Sequence, residues 1–106
     1  MPSKNDLRIA RILRMRLEAQ SKIQRMVLFG SRARGDAVPD SDLDLFIEVS
    51  ELNEKIREQI QLAAWEVSLE NGIVISTFVA SSDSLVHSPL AANPLLKAIE
   101  MDGIAV

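Results

Sequence analysis

The chain has 106 residues, 47% hydrophobic and 25% charged, which predicts one compact domain with a core of modest depth. It has no cysteine and a single histidine, His87, so disulfides, thiolate zinc sites, a cysteine nucleophile and imidazole-rich metal chemistry are excluded. No run approaches the roughly 18 apolar residues of a membrane span, and no apolar stretch of a secretory signal follows the basic N-terminus, so a cytoplasmic protein without membrane contact is expected.

A net charge of −3 argues against capture of nucleic acid by bulk charge, and 4% aromatic residues leave no stacking platform for bases, so nucleic acid is not an expected partner. The charge is nonetheless polarised. Residues 1–34 hold nine Lys or Arg against two acids, whereas residues 35–106 hold three against 13. Two readings stay open: a solvated basic helix face, or a surface for a partner or for phosphate.

From about Asn5 to Gln20, Leu7, Ala10, Leu13 and Leu17 recur at helical spacing, with Lys4, Arg8 and Arg11 elsewhere around the same amphipathic helix. Met26 to Phe29 is a short apolar run stopped by Gly30, suited to a buried strand that opens into a turn. Between Asp42 and Val49, Leu43, Leu45, Ile47 and Val49 share one face of a strand, and Asp42, Asp44, Phe46 and Glu48 share the other. Ser50 or Asn53 caps a long helix to about Glu70, which Asn71-Gly72 ends. Its stripe of Leu52, Ile56, Ile60, Ala63 and Val67 faces a core. Leu62, Trp65 and Leu69 fall on the opposite side, where they are either covered by the fold or used for docking. Ile73 to Ala80 reads as a third strand, and Asn93-Pro94 opens a last helix that Gly103 closes before Ile104-Ala105-Val106. The order is α-β-α-β-α-β-α with room for a terminal strand, which indicates a single α/β domain over residues 1–106.

The chemistry concentrates in two segments. Gly30-Ser31-Arg32-Ala33-Arg34-Gly35 follows a strand, where backbone amides and the Ser31 hydroxyl can approach phosphate oxygens. Gly30 has no side chain to hold them off, and Arg32 or Arg34 could neutralise their charge. Seven residues beyond Gly35, Asp42 and Asp44 stand at i and i+2 on one strand face, about 6 to 7 Å apart along the strand. Two such carboxylates suit Mg²⁺, which favours a few carboxylates plus phosphate oxygens and water, and two ions about 4 Å apart would clamp a phosphoryl displacement.

The run Leu28-Phe29-Gly30-Ser31-Arg32-Ala33-Arg34-Gly35, followed by Ser41-Asp42-Leu43-Asp44-Leu45, resembles the signature of minimal nucleotidyltransferases of the DNA polymerase β superfamily. That resemblance implies a small mixed sheet flanked by helices (α/β, or α+β) over the whole chain. It implies transfer of a nucleoside monophosphate, with AMP from ATP the favoured case, to a hydroxyl. Gly30, Ser31, Arg32 and Arg34 would grip the triphosphate, and Asp42 and Asp44 would be the catalytic, Mg²⁺-binding pair. It also implies a protein partner, because similar small proteins act as antitoxins beside a helical HEPN-domain toxin.

The sequence departs from that family at one place. Its active members carry a third carboxylate on the next core strand, and here Ser76 stands at the expected position, with no acid between Gly72 and Val79. Glu48 shares the face of Asp44 but lies about 13 Å along the strand, Asp83 reads as a cap of a short helix, and His87 as a loop residue. Two functions follow: a metal-dependent nucleotidyltransferase, or a catalytically impaired module that binds and neutralises a helical partner. The Leu62, Trp65 and Leu69 face and the basic first helix are the docking surfaces either function would use, and a homo-oligomer could use the same patch.

Overall fold

A computed structural model describes residues 1–106. Helix α1 (Lys4–Glu18) starts where Ser3 Oγ accepts the Asp6 N–H at 3.0 Å, and it buries Ile9, Ala10, Leu13 and Leu17 along one stripe. Strand β1 (Ile23–Phe29), the single-turn helix α2 (Gly30–Arg34) and strand β2 (Leu43–Val49) follow. In helix α3 (Glu54–Asn71), Asn53 Oδ1 accepts the Ile56 N–H at the start, and Gly72, at φ 64°, ends it. Strand β3 (Ile75–Ser81), helix α4 (Ser82–His87), a 3-10 turn over Pro89–Ala92, helix α5 (Pro94–Asp102) and strand β4 (Ile104–Ala105) complete the chain. No helix is long and apolar enough to cross a membrane.

The strands form one mixed sheet in the order β3-β2-β1-β4. β1 is antiparallel to β2 and β4, whereas β2 and β3 are parallel because α3 carries the chain back before β3 begins. This is the mixed sheet flanked by helices that the resemblance implied.

The alternation of β2 separates the core into two parts. Leu43, Leu45, Ile47 and Val49 pack with Leu13, Leu17, Ile60 and Val67 beneath α1 and α3. Each fully buried aliphatic side chain there contributes about 2 kcal/mol, so this face anchors the fold. On the other face Phe46 joins Val27, Ala80 and Ile99 in a smaller cluster. Its ring meets Phe78 edge-on at 5.6 Å, and the Arg25 guanidinium lies 5.2 Å from its centroid.

Several local features differ from the sequence expectation. β1 begins at Ile23, before the apolar run, because Arg25 finds Glu48 across the ladder at 3.3 Å and the Phe46 ring beside it. Residues 30–34 wind into a helical turn rather than an open one. β3 begins at Ile75, since the Ile73 N–H closes the end of α3 on the Ser68 carbonyl. Ser81, not Asp83, caps α4, accepting the Ser84 N–H at 3.2 Å; Asp83 instead faces solvent beside His87, which ends α4.

Folding also redistributes the charge polarity of the chain. Arg16 pairs with Glu70 at 2.9 Å, Arg25 with Glu48 and Glu100, and Arg34 with Asp36 and Asp102. Of the basic residues among 1–34, Lys4, Arg8, Arg11 and Lys22 are left without an acidic partner, Arg8 bonding instead to Asn5 and Asn71. Leu62, Trp65 and Leu69 are 55 to 64% exposed, so the fold does not cover them, and Trp65 and Leu69 line an apolar groove with Val74 and Ile75.

Candidate active site

Three neighbouring strands bring the chemistry together. Phe29, the last residue of β1, is paired with Asp44 of β2, and Asp44 is paired with Ser76 of β3. Residues directly opposite one another in a ladder share a face, so the three side chains form a row with about 4.8 Å between strands. They line a cleft of about 550 Å³ whose walls include Phe78, Leu95 and Arg57. The apolar walls and Arg57 carry no sequence signal: each is an ordinary residue of its own element until the sheet aligns them.

Gly30 begins α2 at φ 76°. A Cβ there would run into Oδ2 of Asp44, so the Asp44 carboxylate lies against the Gly30 backbone, and any side chain at this position would displace it. Ser31 follows directly. Asp42 stands exposed two residues before Asp44. Gly30 and Asp44 thus touch at the junction of β1, α2 and β2, with Ser31 next to the one and Asp42 near the other; of the four, only Asp44 lines the cleft.

The two arginines of the loop take different positions. Arg32 is nearly buried, and its guanidinium donates to the Ser41 carbonyl at 2.9 Å, to the Pro39 carbonyl at 3.0 Å and to Asp6 Oδ1 at 3.0 Å. Those contacts use all three nitrogens and tie α1 to the turn that delivers Asp42, a turn further closed by the Val38 N–H on Ser41 Oγ. The residue is therefore committed to holding the site's geometry. Arg34 is half-exposed, shared between Asp36 at 3.2 Å and Asp102 at 3.7 Å, and near enough to Asp44 to act on its ionisation.

The Asp44 carboxyl titrates above the ordinary carboxylate range. Burial contributes most, repulsion from Asp42 adds to it, and Arg34 partly opposes both. The pair is thus short of positive charge, and a divalent cation between the carboxylates would relieve repulsion and desolvation together. No third His, Cys, Asp or Glu joins them. Asp44 on the cleft and the exposed Asp42 two residues before it fit a Mg²⁺ that brings phosphate oxygens and water as its remaining ligands, and do not fit a closed protein cage.

The other acids and the histidine are placed elsewhere. Glu48 receives Arg25 at 3.3 Å and the Ser82 hydroxyl at 2.7 Å. Asp83 and His87 sit 3.9 Å apart on α4, and neither lines the cleft.

Comparison with known proteins places this geometry in a family. The model of the nucleotidyltransferase domain matches residues 9–86. A candidate protein adenylyltransferase of Methanocaldococcus jannaschii is 39% identical over 61 residues, 57% of this chain and 62% of its own length, so the match spans less than two thirds of that relative. Among solved structures, a toxin–antitoxin crystallised with AMP-PNP superimposes with a TM-score of 0.64 at 20% identity, over 95% of this chain and 71% of that one. A candidate minimal nucleotidyltransferase gives a TM-score of 0.55 at 24% identity, over 92% and 95%. Since the family model covers most of the chain, including both the Gly30-Ser31 turn and the Asp42–Asp44 pair, the chain belongs to the nucleotidyltransferase domain family.

Proposed function

We propose that the chain transfers a nucleoside monophosphate, AMP in the favoured case, from a nucleoside triphosphate to a hydroxyl. The observation that carries this reading is the Asp44 carboxylate held against the Gly30 backbone, with Asp42 close enough to raise its pKa. Such a reaction asks for positioning and charge neutralisation rather than a tuned histidine. The Gly30 backbone and Ser31 hydroxyl would receive triphosphate oxygens. Arg34, half-exposed and loosely paired, can turn to the phosphates, while Arg32 keeps the turn before Asp42 in place. Phe29, Phe78 and Leu95 offer apolar walls to the rest of the nucleotide. Asp42 and Asp44 would hold Mg²⁺, one ion or two, which supplies charge neutralisation at the transferring phosphoryl group and the leaving pyrophosphate.

The acceptor is read as a hydroxyl on a protein, with this chain as the antitoxin and a helical HEPN-domain toxin as partner. Its fold neighbours include the toxin–antitoxin MntA–HpeT in a form carrying two aspartate-to-glutamate changes, at a TM-score of 0.59 and 18% identity. The uncovered Trp65 and Leu69 groove is the surface such a partner would use. Ser76 opposite Asp44, where a third carboxylate would stand, favours a second reading: a module that keeps nucleotide binding and neutralises its partner by contact alone.

Calorimetric titration with ATP and the other triphosphates, with and without Mg²⁺, tests the site without knowledge of the acceptor. Mg²⁺-dependent binding that disappears in Asp42→Asn and Asp44→Asn is expected. Binding that ignores both substitutions, or none at millimolar nucleotide, refutes the site.

A further inference from the structure

We propose that Ser76 is itself an acceptor, so that the chain nucleotidylates its own Ser76 hydroxyl; this rests on the nucleotidyl-transfer reading above. Ser76 faces Asp44 directly in the parallel ladder, is exposed, and lines the same cleft. Its hydroxyl makes no hydrogen bond within the chain. Ser31, also without a hydrogen bond, stands on the far side of Asp44 where the triphosphate is read to sit, and the other serines nearby are committed: Ser68 Oγ donates to the Ala64 carbonyl and accepts the Ile75 N–H, Ser81 caps α4, Ser82 binds Glu48, and Ser88 binds the Ser84 carbonyl. Thr77, the other hydroxyl on the cleft's edge, alternates to the opposite face of β3.

Strand order supplies the direction of attack. The sheet runs β3-β2-β1, so the Ser76 hydroxyl lies on one side of Asp44 and the Gly30-Ser31 turn on the other. Displacement at phosphorus requires the attacking and leaving oxygens on opposite sides of the phosphorus atom. With about 4.8 Å per strand, the span from Ser76 to the turn is roughly 10 Å, which leaves room for one phosphoryl centre above Asp44. A triphosphate with its β- and γ-phosphates on Gly30 and Ser31 would turn its α-phosphorus toward Ser76. The step is balanced: a Ser76 Oγ–Pα ester bond forms, the bond from Pα to the β-phosphate oxygen breaks, pyrophosphate leaves, and the hydroxyl proton passes to water at the cleft mouth. Because β3 is an edge strand, no neighbouring strand obstructs this approach. An acceptor built into the site also gains the advantage of an intramolecular reaction over one arriving from solution.

The test incubates the purified full chain with Mg²⁺ and ATP and reads intact mass, followed by peptide mapping. One AMP per chain on Ser76 is expected, at a first-order rate unchanged by protein dilution, absent without Mg²⁺, lost in Ser76→Ala and retained in Ser76→Thr. Binding of ATP in calorimetry with no mass gain refutes the self-modification and leaves the nucleotide site standing. Label that persists in Ser76→Ala, or maps to Thr77, refutes Ser76 as acceptor. Absence of Mg²⁺-dependent ATP binding in the parent chain overturns this inference and the nucleotidyl-transfer reading together.

Discussion

Replacing Gly30 by alanine probes the contact on which the site depends, and Gly72 provides an internal reference. Both glycines have positive φ, 76° and 64°, but a Cβ at Gly72 meets nothing within 4 Å, whereas one at Gly30 meets the Asp44 carboxylate. Gly72→Ala should therefore cost only the left-handed backbone penalty, about 1 to 2 kcal/mol. Gly30→Ala carries the same penalty plus the cost of driving Asp44 from its rotamer, about 0.5 to 1.5 kcal/mol more. Urea unfolding of both variants should show that difference in midpoint at equal slope. In an Asp44→Ala background, Gly30→Ala should cost no more than Gly72→Ala does, because the colliding carboxylate is gone. Calorimetry on the folded variants should find Mg²⁺-dependent ATP binding at least about tenfold weaker in Gly30→Ala, a loss of about 1.4 kcal/mol, and unchanged in Gly72→Ala. Equal unfolding costs for the two variants, with the difference unaffected by Asp44→Ala, would refute the placement of the carboxylate over Gly30.

Three further predictions address the charges of the site. Asp44→Asn should fold and should be more stable than the parent at neutral pH, because a carboxyl whose folded pKa is raised destabilises the fold once it ionises. That cost is absent below the ordinary aspartate value of about 3.9 and develops as pH rises toward the raised folded value, so the gap in Tm between parent and variant should close on acidification. A gap independent of pH would contradict the assigned cause. Arg32→Ala should lose about 3 kcal/mol or more in denaturant unfolding, since it strands the buried Asp6 and releases the turn before Asp42, while Arg34→Ala should change stability by less than about 0.5 kcal/mol and act on nucleotide affinity instead. Similar unfolding midpoints for the two would show that the clamp at Arg32 is not structural. Ser76→Asp, which adds a third acid opposite Asp44, should raise nucleotide transfer to an external hydroxyl acceptor; a folded variant with no gain would place the missing element elsewhere.

Local patterning made much of this molecule legible. The stripe Ala10, Leu13 and Leu17 faces the core, the alternation through β2 sorts Leu43, Leu45, Ile47 and Val49 from Asp44, and Asn53 and Gly72 end α3 where their side-chain and backbone preferences require. These depend on residues near one another in the chain, and so does the pairing of Gly30-Ser31 with Asp42 and Asp44 as a motif. Boundaries governed by distant partners were not legible: β1 extends through Arg25 only because Glu48 and Phe46 wait across the ladder.

Sequence alone therefore determined the order of the long helices and the strands, the two-faced character of β2 and the candidate phosphate and metal groups, since side-chain period and backbone stereochemistry act within a few residues; the helical turn at Gly30–Arg34 and the 3-10 turn at Pro89–Ala92 were not among them. Tertiary structure decided which groups are free to act. Arg32 and Arg34 are alike in the sequence, yet buried acceptors from α1 and the turn before β2 claim the first, while the second stays half-exposed beside Asp44. The cleft formed by Phe29, Asp44, Ser76 and Arg57 exists only once the sheet order is set, because strand register, rather than distance along the chain, makes residues 29, 44 and 76 neighbours.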